Sequence, residues 1–226
     1  MAWRSSGLSN AELIVNLASH GILKSDLAKN AMLLVDRANY VKDSASAYED
    51  APQRIGYGAT ISAPHMHAYA TENLFPHLRP GAKVLDVGSG SGYLLAIFHR
   101  IVGETGKVVG IEHVPELVEW SRENLRKDGL GKALDAKQIE VIVGDGRDGC
   151  PEKGPYNAIH VGAAAPNVPS FLVDQLASPG RMFIPVGVYM QDVQQVDKDE
   201  NGRVTQRPIM SVSYVPLTDR EKQGDW

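Results

Sequence analysis

The 226-residue sequence carries a single cysteine, Cys150, no long apolar run and no excess of positive charge. One thiol cannot build an internal disulfide framework or a Cys-x-x-Cys metal or redox motif. No basic-apolar signal stretch opens the chain, and no apolar run approaches the ~20 residues that span a bilayer. The expectation is a soluble cytosolic protein that engages no membrane. A formal net charge of −4 opposes a surface built to neutralise nucleic-acid phosphates. Internal repeats are missing too, which excludes solenoids and propellers. What remains is 43% hydrophobic and 22% charged residues, the balance of an ordinary globular protein. The length suits one domain, or one domain with an extension.

Ser9-Asn10-Ala11-Glu12 reads as a capping box, with Leu13, Ile14 and Leu17 at helical spacing behind it and Gly21 as a stop. A second helix is expected from about Asp26 to Arg37, with Leu27, Ala31, Leu34 and Val35 facing inward. Tyr48 to Pro64 reads as a long loop with Ile55 and Ile61 buried in it. Loops of that length in compact domains are usually functional or disordered, and the Ile and Tyr residues favour function. A helix through His67, Tyr69, Leu74 and Phe75 should follow.

From Gly81 onward short apolar runs alternate with helical stretches. Strands are expected at Lys83–Val87, Lys107–Ile111, Ile139–Val143, Ala158–Val161 and Arg181–Val186. Helices are expected at Tyr93–Val102, Glu116–Lys127 and Pro169–Leu176. That alternation predicts a parallel sheet with helices on both faces. In the tail, Asn201-Gly202 signals a hairpin between Val193–Val196 and Val204–Ile209, and Ser211–Val215 reads as a further strand. The parallel core should therefore end in an antiparallel edge.

The first strand runs into Gly88-Ser89-Gly90-Ser91-Gly92 and then a helix, the arrangement that brings backbone close to a nucleotide-like ligand. Glu112, 24 positions after Gly88 at the end of the second strand, can accept both hydroxyls of a ribose. NAD and S-adenosylmethionine (SAM) both meet these conditions. The spacing is G-x-G-x-G rather than G-x-G-x-x-G, with Tyr93 where the dinucleotide motif needs its last glycine. Asp86 stands two residues before the loop. It would repel a pyrophosphate and attract a sulfonium or ammonium. At ~4 Å and an effective dielectric of ~20, the sign of that interaction is worth about 4 kcal/mol before solvation costs. Asp145, in Gly144-Asp145-Gly146 after the third strand, can meet an adenine amino group. These features all fall at carboxyl ends of parallel strands, where open α/β sheets bind ligands, and together they favour SAM.

Further residues narrow the reading. They are Ile55-Gly56-Tyr57-Gly58-Ala59-Thr60-Ile61-Ser62-Ala63-Pro64-His65-Met66-His67-Ala68, Val143-Gly144-Asp145-Gly146-Arg147, Tyr156-Asn157-Ala158-Ile159-His160-Val161-Gly162, Val215-Pro216-Leu217-Thr218 and Asp36-Arg37-Ala38-Asn39-Tyr40-Val41. In these stretches the chain closely resembles the protein-L-isoaspartate (D-aspartate) O-methyltransferase family, over nearly its whole length. The resemblance implies a Rossmann-like class I SAM-dependent methyltransferase with a mostly parallel twisted sheet, an antiparallel C-terminal edge and an N-terminal helical extension. It implies one domain over residues 1–226: helices and the active-site loop in 1–80, and the SAM-binding core with its C-terminal strands in 81–226. It implies SAM as methyl donor, S-adenosyl-L-homocysteine (SAH) as product and no metal. The partners implied are isoaspartyl-containing proteins and peptides, met by a monomer.

In the family, the serine of the Thr-Ile-Ser motif is the active-site residue, which maps onto Ser62. Ala59, Thr60, Ile61 and Ser62 would lie beside SAM, and His67 matches a cofactor-site histidine. Ser89, Ser91, Gly92, His113, Gly144 and Gly146 complete the expected cofactor wall, and Thr218 and Gln223 match C-terminal positions that close it. Where the family pattern has Asp after the second strand, this chain has Glu112. The implied reaction esterifies the free α-carboxylate of an isoaspartyl residue, and the ester then collapses to a succinimide. A carboxylate with a pKa near 4 is already ionised at neutral pH, so the step needs no general base. Alignment can contribute roughly 7–11 kcal/mol, and partial desolvation should help.

Other readings of these residues are weaker. No Gly-x-Ser-x-Gly elbow surrounds Ser62, which opposes a hydrolase. His65-x-His67 lacks Cys, Asp or Glu partners at metal-site spacing. Arg37 fits a helix-end hydrogen bond as well as a substrate contact, and Thr218-Asp219-Arg220-Glu221 reads as a plain capping box. An NAD(P)-dependent reductase, a nucleic-acid methyltransferase and a silent SAM-binding adaptor are the competing functions. Asn201-Gly202 is a deamidation-prone pair that would make the chain a substrate of its own chemistry.

Overall fold

The computed structural model describes residues 5–220. Ser9 caps α1 (Asn10–Ser19) by accepting from the Glu12 N–H, and the Glu12 carboxylate accepts from the Leu8 N–H. The capping box is therefore present, with its return bond one residue early. α2 (Asp26–Leu34) stops short of Arg37. Ala31 and Val35 are buried as expected, but Leu27 and Leu34 are 61% and 64% exposed, and Ala28 and Met32 are buried in their place. So short a helix offers two apolar stripes, and its neighbours chose the slimmer one. The chain then bends at Asp36, whose side chain caps a 3₁₀ turn at Arg37–Asn39.

The segment expected as one long loop contains an antiparallel hairpin, β1 (Gln53–Gly56) and β2 (Ala59–Ile61). Its two turn residues, Tyr57 and Gly58, have φ of 55° and 67°, the positive angles of a type I′ turn. A Tyr at the first of these positions hides the turn from a search for Asn-Gly or Asp-Gly. Pro64 then opens α3 (Pro64–Leu74), at the one helical position that needs no N–H.

The main sheet has the order β5-β4-β3-β6-β7-β8-β9. β3 (Lys83–Val87), β4 (Lys107–Glu112), β5 (Ile139–Val143), β6 (Tyr156–Val161) and β7 (Leu176–Val186) pair in parallel. β8 (Gln191–Lys198) and β9 (Val204–Val212) add the antiparallel edge around Asn201-Gly202. Between the strands lie α4 (Tyr93–Val102), α5 (Pro115–Lys127), α6 (Gly131–Asp135) and α7 (Ser170–Asp174). β3, β5 and α4 coincide with the sequence expectation, and α7 is shorter than expected. Ser211–Val215 is not a separate strand. Ser211 and Val212 end β9, and the following residues form a strap in which the Ala164 N–H donates to the Val215 carbonyl and the Leu217 N–H to the Ala164 carbonyl, each at 2.8 Å.

Alternation along β3 divides the core. Val84 packs with the N-terminal helices, α4 and α5, whereas Leu85 and Val87 pack on the opposite face with Leu172 of α7. Asp86 shares the face of Val84. His160 of β6 is its direct register partner, and Phe183 of β7 is the next residue in that row.

Candidate active site

Strand order reverses at β3, which has β4 on one side and β6 on the other. Open α/β sheets leave a crevice beyond the carboxyl ends of the strands at such a point. The glycine loop turns there, with φ of 74°, 51° and 85° at Gly88, Gly90 and Gly92. Gly92 is the most constrained, because a Cβ would lie 2.4 Å from Ser121 Oγ. At Gly90 a Cβ would come within 3.2 Å of Ile55 Cδ1, so the β1–β2 hairpin packs directly on the loop. A Cβ on Gly162, just after β6, would stand 3.1 Å from the Gly88 carbonyl oxygen.

Two buried carboxylates face this crevice. Asp86 Oδ1 is 2.6 Å from His160 Nδ1, and the imidazole stacks on Phe183 with centroids 5.9 Å apart. The ring therefore cannot swing away from the carboxylate it orients. Glu112 accepts from the Gly90 N–H at 3.1 Å and the Val114 N–H at 3.0 Å. Burial raises its pKa above the usual carboxylate range, and the two N–H donors oppose that shift. Asp145 also lines the crevice, but both its oxygens already accept from Arg147. Gly146 packs closely on β3, where a Cβ would lie 2.5 Å from Val87 Cγ1, and the Arg147 N–H also donates to Asp145. The hydrogen bond from Arg147 is the main cause of a lowered Asp145 pKa. Arg147 also reaches Asp219 of the strap at 2.6 Å.

The covering wall comes from the hairpin and the strap. Ser62, at the end of β2, lines the crevice under the loop and also an outer cleft of about 590 Å³. The outer cleft includes Thr60, His65, Met66, Tyr214 and Val215, a volume within the range of small-molecule sites. The Ser62 hydroxyl lies beside the Tyr214 phenol, whose pKa is pushed up to about 12, chiefly by burial, with Ser62 acting the other way. Both groups are neutral donors at physiological pH. The side-chain amide of Gln191 holds Tyr214 in place, accepting from its N–H and donating to its carbonyl. His65 Nδ1 is bonded to Asp50 at 2.7 Å.

Thr60, Ile61, Ser62, His67, Asp86, Gly88, Ser89, Gly90, Ser91, Glu112, His113, Asp145, Gly146 and Thr218 converge on the crevice, with Ala59 at its rim. Gly92 and Gly144 do not line it. Gly92 sets the left-handed turn into α4, and the Gly144 N–H donates to the Glu112 carbonyl. Gln223 lies outside the described residues. His160 and Gly162 stand in a stretch that carries the resemblance but receive no site role from sequence, and Tyr214 is read only as part of a strand, because their partners across the sheet and strap are distant in the chain. Among the described residues, no three His, Cys, Asp or Glu side chains converge as metal ligands. Ser89 and Tyr93 line the crevice, and their hydroxyl oxygens are buried without a protein partner. The buried Asp86 carboxylate facing the crevice suits a ligand with a cationic group, and Glu112 suits one with hydroxyls.

Known proteins resemble this chain over nearly its whole length. A family model described as protein-L-isoaspartate(D-aspartate) O-methyltransferase matches residues 8–222. The chain is 54% identical over 225 residues to a Caenorhabditis elegans protein-L-isoaspartate O-methyltransferase, covering 99% of this chain and 98% of that one. It is 50% identical over 222 residues to the Arabidopsis thaliana protein-L-isoaspartate O-methyltransferase 1, covering 98% and 96%. A crystal structure of a Plasmodium falciparum protein of the same description, in complex with SAH, superposes with a TM-score of 0.86 at 36% identity, over 93% of this chain and 98% of that one. With the family model matching residues 8–222 and relatives 50–54% identical over nearly the whole chain, the chain belongs to the protein-L-isoaspartate(D-aspartate) O-methyltransferase family.

Proposed function

We infer that the protein uses SAM to methylate the free α-carboxylate of L-isoaspartyl residues, and of D-aspartyl residues, in damaged polypeptides. The observation that carries this reading is the position of Ser62, on the one wall shared by the crevice and the open cleft. SAM, when bound, supplies an activated methyl group. Asp86, held by His160, presents negative charge to the cationic end of the donor. Glu112 offers its remaining lone pairs to the ribose. His113, Asp145, Gly146 and Thr218 surround the adenosine end. The Ser62 and Tyr214 hydroxyls hold the acceptor carboxylate without adding charge. They leave it ionised and nucleophilic, so no residue is needed to remove a proton. Hairpin and strap together exclude water. The backbone amide nitrogen then attacks the ester carbonyl carbon, loses its proton and expels methanol, and the succinimide so formed begins repair.

The reading assigns residues 1–226 to one methyltransferase domain. The core packing α1 and α2 against α4 and the sheet supports this. It also assigns a monomer in the cytosol that acts on polypeptides rather than nucleic acid. No helix among the described residues is long and apolar enough to cross a membrane. The test is methyl transfer from labelled SAM to paired peptides that differ only in aspartyl versus isoaspartyl linkage. Label should enter the isoaspartyl peptide alone; equal labelling of both, or of neither, overturns the reading.

A further inference from the structure

Arg37 is fully buried, and none of the ion pairs among the described residues involves it. Its Nη2 donates to the Ser62 carbonyl at 2.9 Å, and its Nη1 is 3.4 Å from His67 Nδ1. The guanidinium carbon lies 5.4 Å from the Tyr93 ring centroid, and Nε has no partner. Asp50 acts on it from beyond ion-pair contact and is itself bonded to His65. Burial lowers the Arg37 pKa to about 10, so the cation persists at neutral pH.

An isolated buried charge costs several kcal/mol, and an arginine cannot escape that cost by losing its proton. The partners present are a carbonyl, an aromatic face and an imidazole. That imidazole is neutral, because burial and then Arg37 hold the His67 pKa well below its ordinary value. A guanidinium has only donors, so His67 Nδ1 must accept and Nε2 carries the proton. Ser62 and His67 both line the crevice. Arg37 thus stands behind the two groups that face the ligands, and the buried carboxylate that acts on it, Asp50, is bonded to His65 and makes no ion pair with it.

We propose that Arg37 is a positioning residue and the buried counter-charge for a carboxylate held in this site, acting from behind Ser62 and His67. The inference rests on the methyl-transfer reading, which brings two such groups to the site: the amino-acid carboxylate of SAM and the acceptor's α-carboxylate. Through-space attraction suits either. It fixes the anion without occupying the lone pair that receives the methyl group.

Arg37→Gln, which removes the charge, and Arg37→Lys, which keeps it without the fork, separate charge from packing. SAH affinity is measured by calorimetry, and KM for an isoaspartyl peptide at saturating SAM. Arg37→Gln should weaken one of the two by about 10- to 100-fold, and Arg37→Lys should recover most of that loss. A loss in SAH affinity that disappears with decarboxylated SAH assigns the donor's carboxylate. A raised KM with unchanged SAH affinity assigns the acceptor's. Both quantities staying within about twofold of the parent, or Lys failing as badly as Gln, overturns the proposal. Should the variants not fold, nitrogen NMR on the ligand-free parent protein must show His67 protonated at Nε2. Protonation at Nδ1 overturns the arrangement. That measurement stands apart from the peptide assay, so failure of the inference and failure of the methyl-transfer reading are distinguishable.

Discussion

The two walls of the site are built in opposite ways. The inner wall, from Asp86 to Gly146, is made by residues at the carboxyl ends of three neighbouring strands, and the register of β3, β4 and β5 places them side by side. The outer wall draws on segments far apart in the chain. Arg37 anchors Ser62, Gln191 anchors Tyr214, and Ala164 anchors the strap at Val215 and Leu217. The inner wall is therefore as rigid as the sheet. The outer wall is only as rigid as a few long-range hydrogen bonds, which suits a surface that must admit a polypeptide.

Perturbing each wall should give a distinct signature. The largest effect is expected at Gly92. Gly92→Ala places a Cβ in a left-handed conformation and against Ser121, and should cost roughly 2–4 kcal/mol, with loss of SAH binding. Urea unfolding and calorimetry read both. A variant as stable as the parent would show that the inner wall is softer than its register suggests.

Next comes the outer wall. Ser62→Ala removes a donor to a charged acceptor and should lower kcat about 10- to 100-fold, with SAH affinity within about twofold. Loss of SAH binding alone would move Ser62 to the inner wall. Tyr214→Phe should show the same pattern at smaller amplitude.

The pH dependence probes the inner wall again. Glu112 accepts ribose hydroxyls best when ionised, and burial raises its pKa. SAH affinity should be highest above that raised pKa and fall as the pH drops through it, by up to about tenfold per unit. Glu112→Gln should flatten the profile, and an unchanged slope would remove Glu112 from the ribose. The smallest effect is expected from Arg147→Ala. It breaks the bridge between Asp145 and Asp219, but exposed ion pairs contribute little. SAH should dissociate about two- to fivefold faster in stopped flow.

The same contrast explains what the sequence discloses. Lys83–Val87, Tyr93–Val102 and Ile139–Val143 are legible to the residue, because a buried strand or helix core repeats its pattern over several consecutive residues. Ser9 and Glu12 mark a helix start, since a cap is local chemistry. The hairpin at Gln53–Ile61 was hidden by Tyr57 in a turn position that usually takes Asn or Gly. The inner face of α2 is only half legible: Ala31 and Val35 are buried as their spacing predicts, but the exposed Leu27 and Leu34 form as good a stripe as the buried Ala28 and Met32. The Ser211–Val215 segment reads as a strand, yet only its first two residues pair within β9.

Local chemistry, then, set the strand-loop-helix unit, the sign of charge beside it and the choice of a cationic donor over a pyrophosphate. Those depend on residues within a few positions of one another. Resemblance in the Tyr57–His67 stretch pointed to the acceptor. Tertiary structure alone decided that Asp86 meets His160 across β3 and β6, and that Tyr214 stands beside Ser62. It also set Arg37, buried and outside any ion pair, against the Ser62 carbonyl. In each case the partners are separated by tens of residues or more, and only packing brings them within hydrogen-bonding reach.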